Sequence, residues 1–265
     1  MPDTSRFLRS TMRILLAGIL LAAATAAFAA EDKLIKLETR PGVSVSVYYM
    51  KRDGATATVV LLPGGGGGIG LKDGVPTSPN FLVRTRDYFA ANGFNVAVVS
   101  RPTDHELDYE FRVSSQHIHD LRQVTGYVKK DSGLSVWLVG TSRGTTSATA
   151  AAIAFGNEEM AGLVLTSSVT SPGKVGAVPS QKLEAIRIPV LVMHHEKDSC
   201  SVTVPRDVPR IIDRLKNAPV KKLIMVGGGA GASGDPCEPL HWHGFIGMDK
   251  EAVDIIADWI KNPKP

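Results

Sequence analysis

From residue 43 onward, short apolar segments alternate with helix-like segments. Most of the apolar segments are short, continuous runs, which is typical of strands covered on both faces. The predicted strands are Val43–Met50, Thr58–Leu62, Asn95–Ser100, Val136–Gly140, Gly162–Leu165, Pro189–Met193 and Lys222–Val226. The predicted helices are Phe81–Ala91, Ser115–Lys130, Thr145–Phe155 and Lys250–Ile260. This alternation predicts a single α/β domain, built on a mostly parallel, twisted sheet with helices on both faces.

Residues 1–29 have the three parts of a secretory signal peptide. Three arginines lie between positions 6 and 13, an apolar run covers Ile14–Ala24, and Ala27-Phe28-Ala29 matches a cleavage site. The apolar run is short for a membrane-spanning helix, so we expect cleavage rather than a retained anchor. The sequence therefore predicts a domain of residues 30–265 that is periplasmic or secreted and keeps no membrane span.

The charge of the chain gives little reason to expect nucleic-acid binding. The whole chain has a formal net charge of +4, and losing the three arginines and one aspartate of residues 1–29 leaves +2. No run of basic residues interleaved with aromatic residues remains in the predicted domain. We therefore expect no nucleic-acid partner. The sequence does not indicate an oligomeric state.

A G-x-S-x-G motif, Gly140-Thr141-Ser142-Arg143-Gly144, lies between a predicted strand and a predicted helix. In such a turn the serine adopts a strained backbone conformation, and the glycines allow close approach of neighbouring chain segments. The hydroxyl is then exposed at the positive end of the following helix, where negative charge is stabilised. The motif predicts Ser142 as a nucleophile. The alternative is a turn that only joins a strand to a helix.

Over nearly all of residues 30–265, the sequence resembles the α/β-hydrolase superfamily, of the dienelactone-hydrolase-like esterase type without a cap domain. The resemblance implies a catalytic acid and then a histidine after the serine in chain order. The stretch VLVMHHEKDSC, residues 190–200, is similar to the late strand and acid loop of the family. It implies Asp198 as the acid, with Glu196 and Asp207 as competitors.

The resemblance also implies a histidine just before the last helix. His243 lies in the sequence His241-Trp242-His243-Gly244-Phe245 and matches the H-G-F form often seen at this position. His241 is the alternative. The remaining histidines either precede the serine, against the family order, or end a strand beside the acid, where a structural role is more typical.

A glycine-rich loop, Pro63–Gly68, follows the predicted strand Thr58–Leu62. By resemblance to the H-G-G-G type loop, the Gly65 N–H and the Arg143 N–H would form the oxyanion hole. Pro63 stands where many relatives have histidine, which leaves the loop donor open among Gly64, Gly65 and Gly66. The loop also satisfies G-x-G-x-x-G, but the Gly and Pro residues that follow cannot open a helix, so we expect no dinucleotide cofactor.

Two cysteines, Cys200 and Cys237, lie in the predicted exported domain. An even pair in an oxidising compartment predicts one disulfide rather than two buried thiols. The bridge would tie the acid loop to the histidine loop. None of the histidine pairs has the H-E-x-x-H spacing of a zinc site, so we expect no metal.

Together these features predict an exported serine hydrolase that cleaves a small ester through an acyl-enzyme on Ser142, with a Ser142–His243–Asp198 triad. An acyltransferase with the same triad is one alternative. A non-catalytic binding protein with this fold is another.

Overall fold

A computed structural model describes residues 31–265 of the chain. The predicted signal peptide, residues 1–29, lies outside the described residues. Within residues 31–265, no helix combines the length and apolar character that a membrane-spanning helix needs.

The described chain is built around one sheet of eight strands. They are β1 Glu31–Arg40, β2 Val43–Lys51, β3 Ala57–Leu62, β6 Phe94–Pro102, β7 Val136–Thr141, β8 Gly162–Thr166, β9 Val190–His195 and β10 Lys221–Val226. Their order across the sheet is β1-β2-β6-β3-β7-β8-β9-β10. All neighbouring strands from β6 to β10 in this order are parallel, whereas β1 and β2 add an antiparallel edge. Two short strands, β4 Leu71–Lys72 and β5 Val75–Pro76, form a separate hairpin. The predicted mostly parallel sheet is confirmed.

Helices cover both faces of this sheet, as the sequence predicts. The helices are α1 Phe81–Arg84, α2 Arg86–Ala91, α3 Tyr109–Arg112, α4 Ser115–Ser132, α5 Arg143–Glu159, α6 Pro209–Arg214 and α7 Asp249–Lys261. The core accordingly divides into two apolar clusters. One contains the inward residues of α4 and α5, and the other contains those of α1, α2 and α7.

The structure differs from the predicted elements in two ways that have clear local causes. Strand β1 was not predicted, because it mixes charged residues with few apolar ones and only Ile35 and Leu37 pack against the core. The predicted helix 81–91 is divided at Thr85, whose hydroxyl donates to the Phe81 carbonyl at 2.6 Å. Threonine side chains that bond the backbone in this way compete with regular helical structure.

The chain between β8 and β9 is the place where a cap domain could be inserted. In the described structure it forms loops and two single turns of 3-10 helix, Val178–Ser180 and Leu183–Ala185. Within residues 31–265, this segment therefore adds no cap domain over the carboxyl ends of the parallel strands.

Candidate active site

The carboxyl ends of the parallel strands bring together the loops that carry the predicted site residues. Ser142 follows β7, Asp198 follows β9, and the glycine-rich loop follows β3. His243 lies in the turn Trp242–Gly244 just before α7. In open α/β sheets this edge is where ligands bind. A cavity of about 390 Å³ at this edge is lined by Ser142, His243 and Gly64–Gly66, among other residues.

Ser142 has the strained backbone conformation that the G-x-S-x-G motif predicts. Its φ is 52° and its ψ is −128°, in a region that residues with a Cβ rarely adopt. The two glycines of the motif are required by close packing. A Cβ on Gly140 would lie 2.6 Å from the Gly144 oxygen, and a Cβ on Gly144 would lie 2.0 Å from the Leu62 oxygen. The local sequence thus holds the Ser142 hydroxyl at the start of α5, above the sheet edge.

Asp198 and His243 form a buried hydrogen-bonded pair. Asp198 Oδ2 lies 3.0 Å from His243 Nδ1, and both residues are almost fully buried. Thr203 supports the pair, since its hydroxyl lies 2.9 Å from Asp198 Oδ2 and 3.1 Å from His243 Nδ1. With a carboxylate facing Nδ1, the proton of a neutral His243 belongs on Nδ1, which leaves Nε2 free to act as a base.

The surroundings of Asp198 keep its carboxyl ionised. Burial opposes ionisation, but the neighbouring imidazoles of His194 and His243 outweigh it and hold the pKa of Asp198 well below its usual range. His194 Nε2 lies 3.1 Å from Asp198 Oδ2, although its direction is not that of a hydrogen bond. The Cys200 N–H donates to the other carboxylate oxygen, Oδ1, at 3.0 Å. These contacts therefore favour the negatively charged form of Asp198 behind His243.

The competing candidates lie in different surroundings. Glu196 is exposed at the end of β9. Within residues 31–265, His241 contacts no carboxylate, and its ring lies edge-on to Trp242. His195 accepts the Lys197 N–H at its Nδ1 and stacks on Trp242, which is a structural role. The geometry thus favours His243 over His241 as the partner of Asp198.

Ser142 and His243 share the pocket without a direct hydrogen bond within the described chain. Such bonds are often loose in substrate-free sites and shorten when a substrate binds. The structure therefore brings the predicted nucleophile and base together, while their direct contact stays a prediction.

The glycine-rich loop packs directly against the serine. A Cβ on Gly64 would lie 2.8 Å from the Ser142 Cβ, so only glycine fits there. Within residues 31–265, the N–H groups of Gly64, Gly65 and Gly66 donate no hydrogen bond to other protein groups. Arg143 is the first residue of α5, and N–H groups at this helical position have no partner inside the helix. Free donors are thus available on both sides of Ser142, and the choice among Gly64, Gly65 and Gly66 stays open.

A buried arginine that the sequence did not indicate fixes this loop from behind. The Arg112 guanidinium is fully buried and donates to the carbonyl oxygens of Pro63 and Gly65 at 3.2 and 3.1 Å. It also donates to Ser147 Oγ at 2.9 Å, and Ser147 Oγ lies 2.9 Å from His117 Nε2. Burial, with a smaller contribution from the charge of Arg143, lowers the pKa of Arg112 to about 9. Arg112 therefore holds the backbone of the glycine-rich loop in place.

His117, the last member of this network, makes folding sensitive to acid. Burial lowers the pKa of His117 from 6.5 to about 3, with smaller contributions from Arg112 and Arg40. Between about pH 3 and pH 6.5, His117 is protonated in the unfolded chain but neutral in the folded protein, so the free energy of unfolding decreases as the pH falls through this range. For H117Q, we expect the decrease between pH 7 and pH 5 to be smaller by about 2 kcal/mol, as measured by urea unfolding.

The matched control for this prediction is H119Q, because His119 is exposed on the same helix. H119Q should show the pH dependence of the unaltered protein. If H117Q also shows that dependence, His117 does not stay neutral in the folded state.

The predicted disulfide is present between Cys200 and Cys237, which are 37 positions apart. Cys200 is buried beside Asp198, whereas Cys237 is in the exposed loop that leads to His243. Both cysteines line the cavity. The bridge therefore joins the acid loop to the histidine loop, as the sequence predicts.

Loss of the disulfide should affect both stability and activity. In C237S the unfolded chain is no longer restricted by the disulfide and gains conformational entropy. We therefore expect a free energy of unfolding lower by about 4 kcal/mol and a Tm lower by about 10 °C. We also expect a lower kcat/KM, because the two loops are then free to move apart. Thermal unfolding and ester hydrolysis measure these effects. As a control, reductant should change the unaltered protein in the same direction and leave C200S/C237S unchanged. Equal Tm and activity in all samples would contradict the prediction.

Comparison with known proteins gives matches at the level of structure only. No protein-family model matches the chain. No curated protein matches it in sequence. Among solved structures, it is similar to a dienelactone hydrolase from Anabaena variabilis, with 14% identity and a TM-score of 0.60 over 88% of this chain and 97% of that chain.

Two esterases show the same degree of similarity. The Pyrococcus furiosus esterase Pf2001 has 13% identity and a TM-score of 0.64, over 88% of this chain and 91% of that chain. The carboxylesterase Cest-2923 from Lactobacillus plantarum has 13% identity and a TM-score of 0.61, over 87% and 97% of the two chains. At these identities the matches show a common fold, and they span nearly the whole length of each of these proteins.

Proposed function

We propose that this protein, which has the α/β-hydrolase fold, is a serine hydrolase that cleaves the ester bond of a small substrate through an acyl-enzyme on Ser142. The observation that carries the proposal is the buried Asp198–His243 pair, whose histidine lines one cavity together with a serine in a strained strand-to-helix turn. The esterases and the dienelactone hydrolase of similar structure support the choice of an ester substrate.

In the first half of the proposed reaction, His243 Nε2 takes the proton of the Ser142 hydroxyl as its oxygen attacks the ester carbonyl carbon. The carbonyl oxygen gains negative charge, which the Arg143 N–H and one N–H of the glycine-rich loop stabilise. Asp198 stabilises the imidazolium that forms on His243. Protonated His243 then gives its proton to the leaving alcohol as the bond between the carbonyl carbon and the alcohol oxygen breaks.

In the second half, water replaces the alcohol. His243 takes a proton from the water as the water oxygen attacks the acyl carbon on Ser142. The same donors stabilise the second oxyanion. His243 returns this proton to the Ser142 oxygen as the acid product leaves. The enzyme is thus regenerated in its initial protonation state.

We also propose that the protein acts outside the cytoplasm. The signal-peptide pattern of residues 1–29 predicts export. The Cys200–Cys237 disulfide supports this proposal, because such bridges persist in oxidising compartments.

The test of the proposed function is hydrolysis of p-nitrophenyl esters with acyl chains from acetyl to octanoyl. We expect release of p-nitrophenol with a rapid first turnover, because the acyl-enzyme accumulates when deacylation is slower than acylation. The products in the presence of an added alcohol distinguish hydrolysis from acyl transfer. A folded protein that releases no p-nitrophenol above the background rate from any of these esters would contradict the proposal.

A further inference from the structure

We propose that the substrate of this site carries a negatively charged group, a carboxylate, which Arg143 and Lys174 bind. This inference rests on the proposed function and specifies its substrate class. Both residues line the cavity that contains Ser142. Lys174 belongs to the loop between β8 and β9, and this loop brings its positive charge close to Arg143, the residue that follows Ser142.

Both cations are held on the same aromatic ring. The Arg143 guanidinium carbon lies 5.0 Å from the centre of the Tyr109 ring, and the Lys174 Nζ lies 5.4 Å from it. A cation within about 6 Å of an aromatic ring is attracted to the ring face. This contact orients the two side chains without neutralising their charges. Tyr109 itself lines the cavity, so the three residues form one wall, which we call the cationic wall.

The cationic wall has no carboxylate partner in the described chain. Within residues 31–265, neither Arg143 nor Lys174 has an Asp or Glu oxygen within 4 Å. Other arginines of the protein are paired: Arg40 with Asp104 and Asp120, Arg52 with Asp32, and Arg84 with Asp249. Two unpaired cations beside a cavity leave room for the anion of a ligand, since charge-assisted hydrogen bonds to a carboxylate are among the stronger polar contacts.

The remaining charges around the cavity favour the cationic wall as the position of that anion. Arg112 lies buried behind the glycine-rich loop and adds positive charge on the same side as Arg143. Glu238 also lines the cavity, next to Cys237 and Pro239 in the loop that leads to His243. Its carboxylate repels an anion from its own vicinity. A substrate carboxylate is therefore directed to Arg143 and Lys174, while its ester carbonyl lies at Ser142.

The experiment compares anionic esters with neutral esters of the same shape. The first pair is 4-nitrophenyl hydrogen adipate and its methyl ester, which carry or lack a carboxylate in the acyl part. The second pair is 3-acetoxybenzoate and its methyl ester, which carry or lack it in the alcohol part. The readout is the ratio of kcat/KM for the anionic ester to kcat/KM for the neutral ester. We expect a ratio of about 10 in at least one pair at low ionic strength.

Variants then test whether the cationic wall causes this ratio. K174M should reduce the ratio severalfold, and K174E should reduce it below one, because the new carboxylate repels the substrate anion. R143M should also reduce the ratio while keeping the backbone N–H of residue 143. The matched control is K130M, since Lys130 is exposed on α4 and is not among the residues that line the cavity, and it should leave the ratio unchanged. Increasing salt should lower the ratio of the unaltered protein.

The outcomes separate this inference from the proposed function. If the neutral esters are hydrolysed but neither anionic ester is preferred, the inference is wrong and the serine hydrolase function stands. A preference that K174E and R143M do not change would also overturn the inference. If neither neutral nor anionic esters are hydrolysed by the folded protein, the proposed function fails as well.

Discussion

Replacing Ser142 with alanine is expected to lower kcat/KM for a short p-nitrophenyl ester by about 10⁴-fold or more. The variant lacks the oxygen that forms the acyl-enzyme, so only the oxyanion donors and substrate binding remain. Little structural change is expected, because the Ser142 side chain makes no hydrogen bond within the described residues that holds the turn together. Steady-state kinetics on purified S142A and on the unaltered protein measure the effect.

The matched control for this prediction is S180A. Ser180 is an exposed serine in the loop between β8 and β9, outside the residues that line the cavity. S180A should retain the activity of the unaltered protein, and circular dichroism should show that both variants are folded. If S142A hydrolyses the ester as fast as S180A does, Ser142 is not the nucleophile.

The second large effect is expected for D198N, with a decrease in kcat of about 10⁴-fold. The amide removes the negative charge that stabilises the imidazolium of His243. An amide nitrogen facing His243 Nδ1 also favours the tautomer with the proton on Nε2, and this tautomer cannot accept the Ser142 proton. KM should change much less than kcat, because Asp198 is buried behind the histidine.

Two other carboxylates provide the controls for this prediction. E196Q and D207N remove the acids that compete with Asp198 in the sequence, and both should retain nearly full kcat. Thermal unfolding should show that D198N is folded at the temperature of the assay. Loss of kcat in E196Q or D207N, with D198N retaining it, would identify a different acid.

The sequence predicts the central strands and the turn at Ser142 because both depend on local patterns. Continuous apolar runs mark the parallel strands, and the G-x-S-x-G motif marks the turn at Ser142. Resemblance to a known family predicts Asp198 as the acid and His243 as the base. In the structure Asp198 Oδ2 lies 3.0 Å from His243 Nδ1. Edge strand β1 lacks such a pattern, because one side of it faces solvent.

Residues that act through long-range contacts could not be predicted in this way. Thr203 contacts both Asp198 and His243, but it is an ordinary threonine in a loop. Arg112 reads as a charged surface residue, yet it is fully buried beneath the glycine-rich loop. Lys174 reaches the cavity only because the loop after β8 folds back toward Tyr109. No periodicity or spacing in the sequence indicates that these residues lie near the site.

The central claim is that Ser142 is an activated nucleophile, and covalent labelling tests it most directly. The purified protein is incubated with a fluorophosphonate probe, and the modified peptide is identified by mass spectrometry. We predict one adduct per chain on Ser142, no adduct in S142A, and much slower labelling in D198N, because the probe reacts only with a serine that a neighbouring base activates. A folded protein that stays unlabelled, or that carries the adduct on another residue, would contradict the proposed catalytic mechanism.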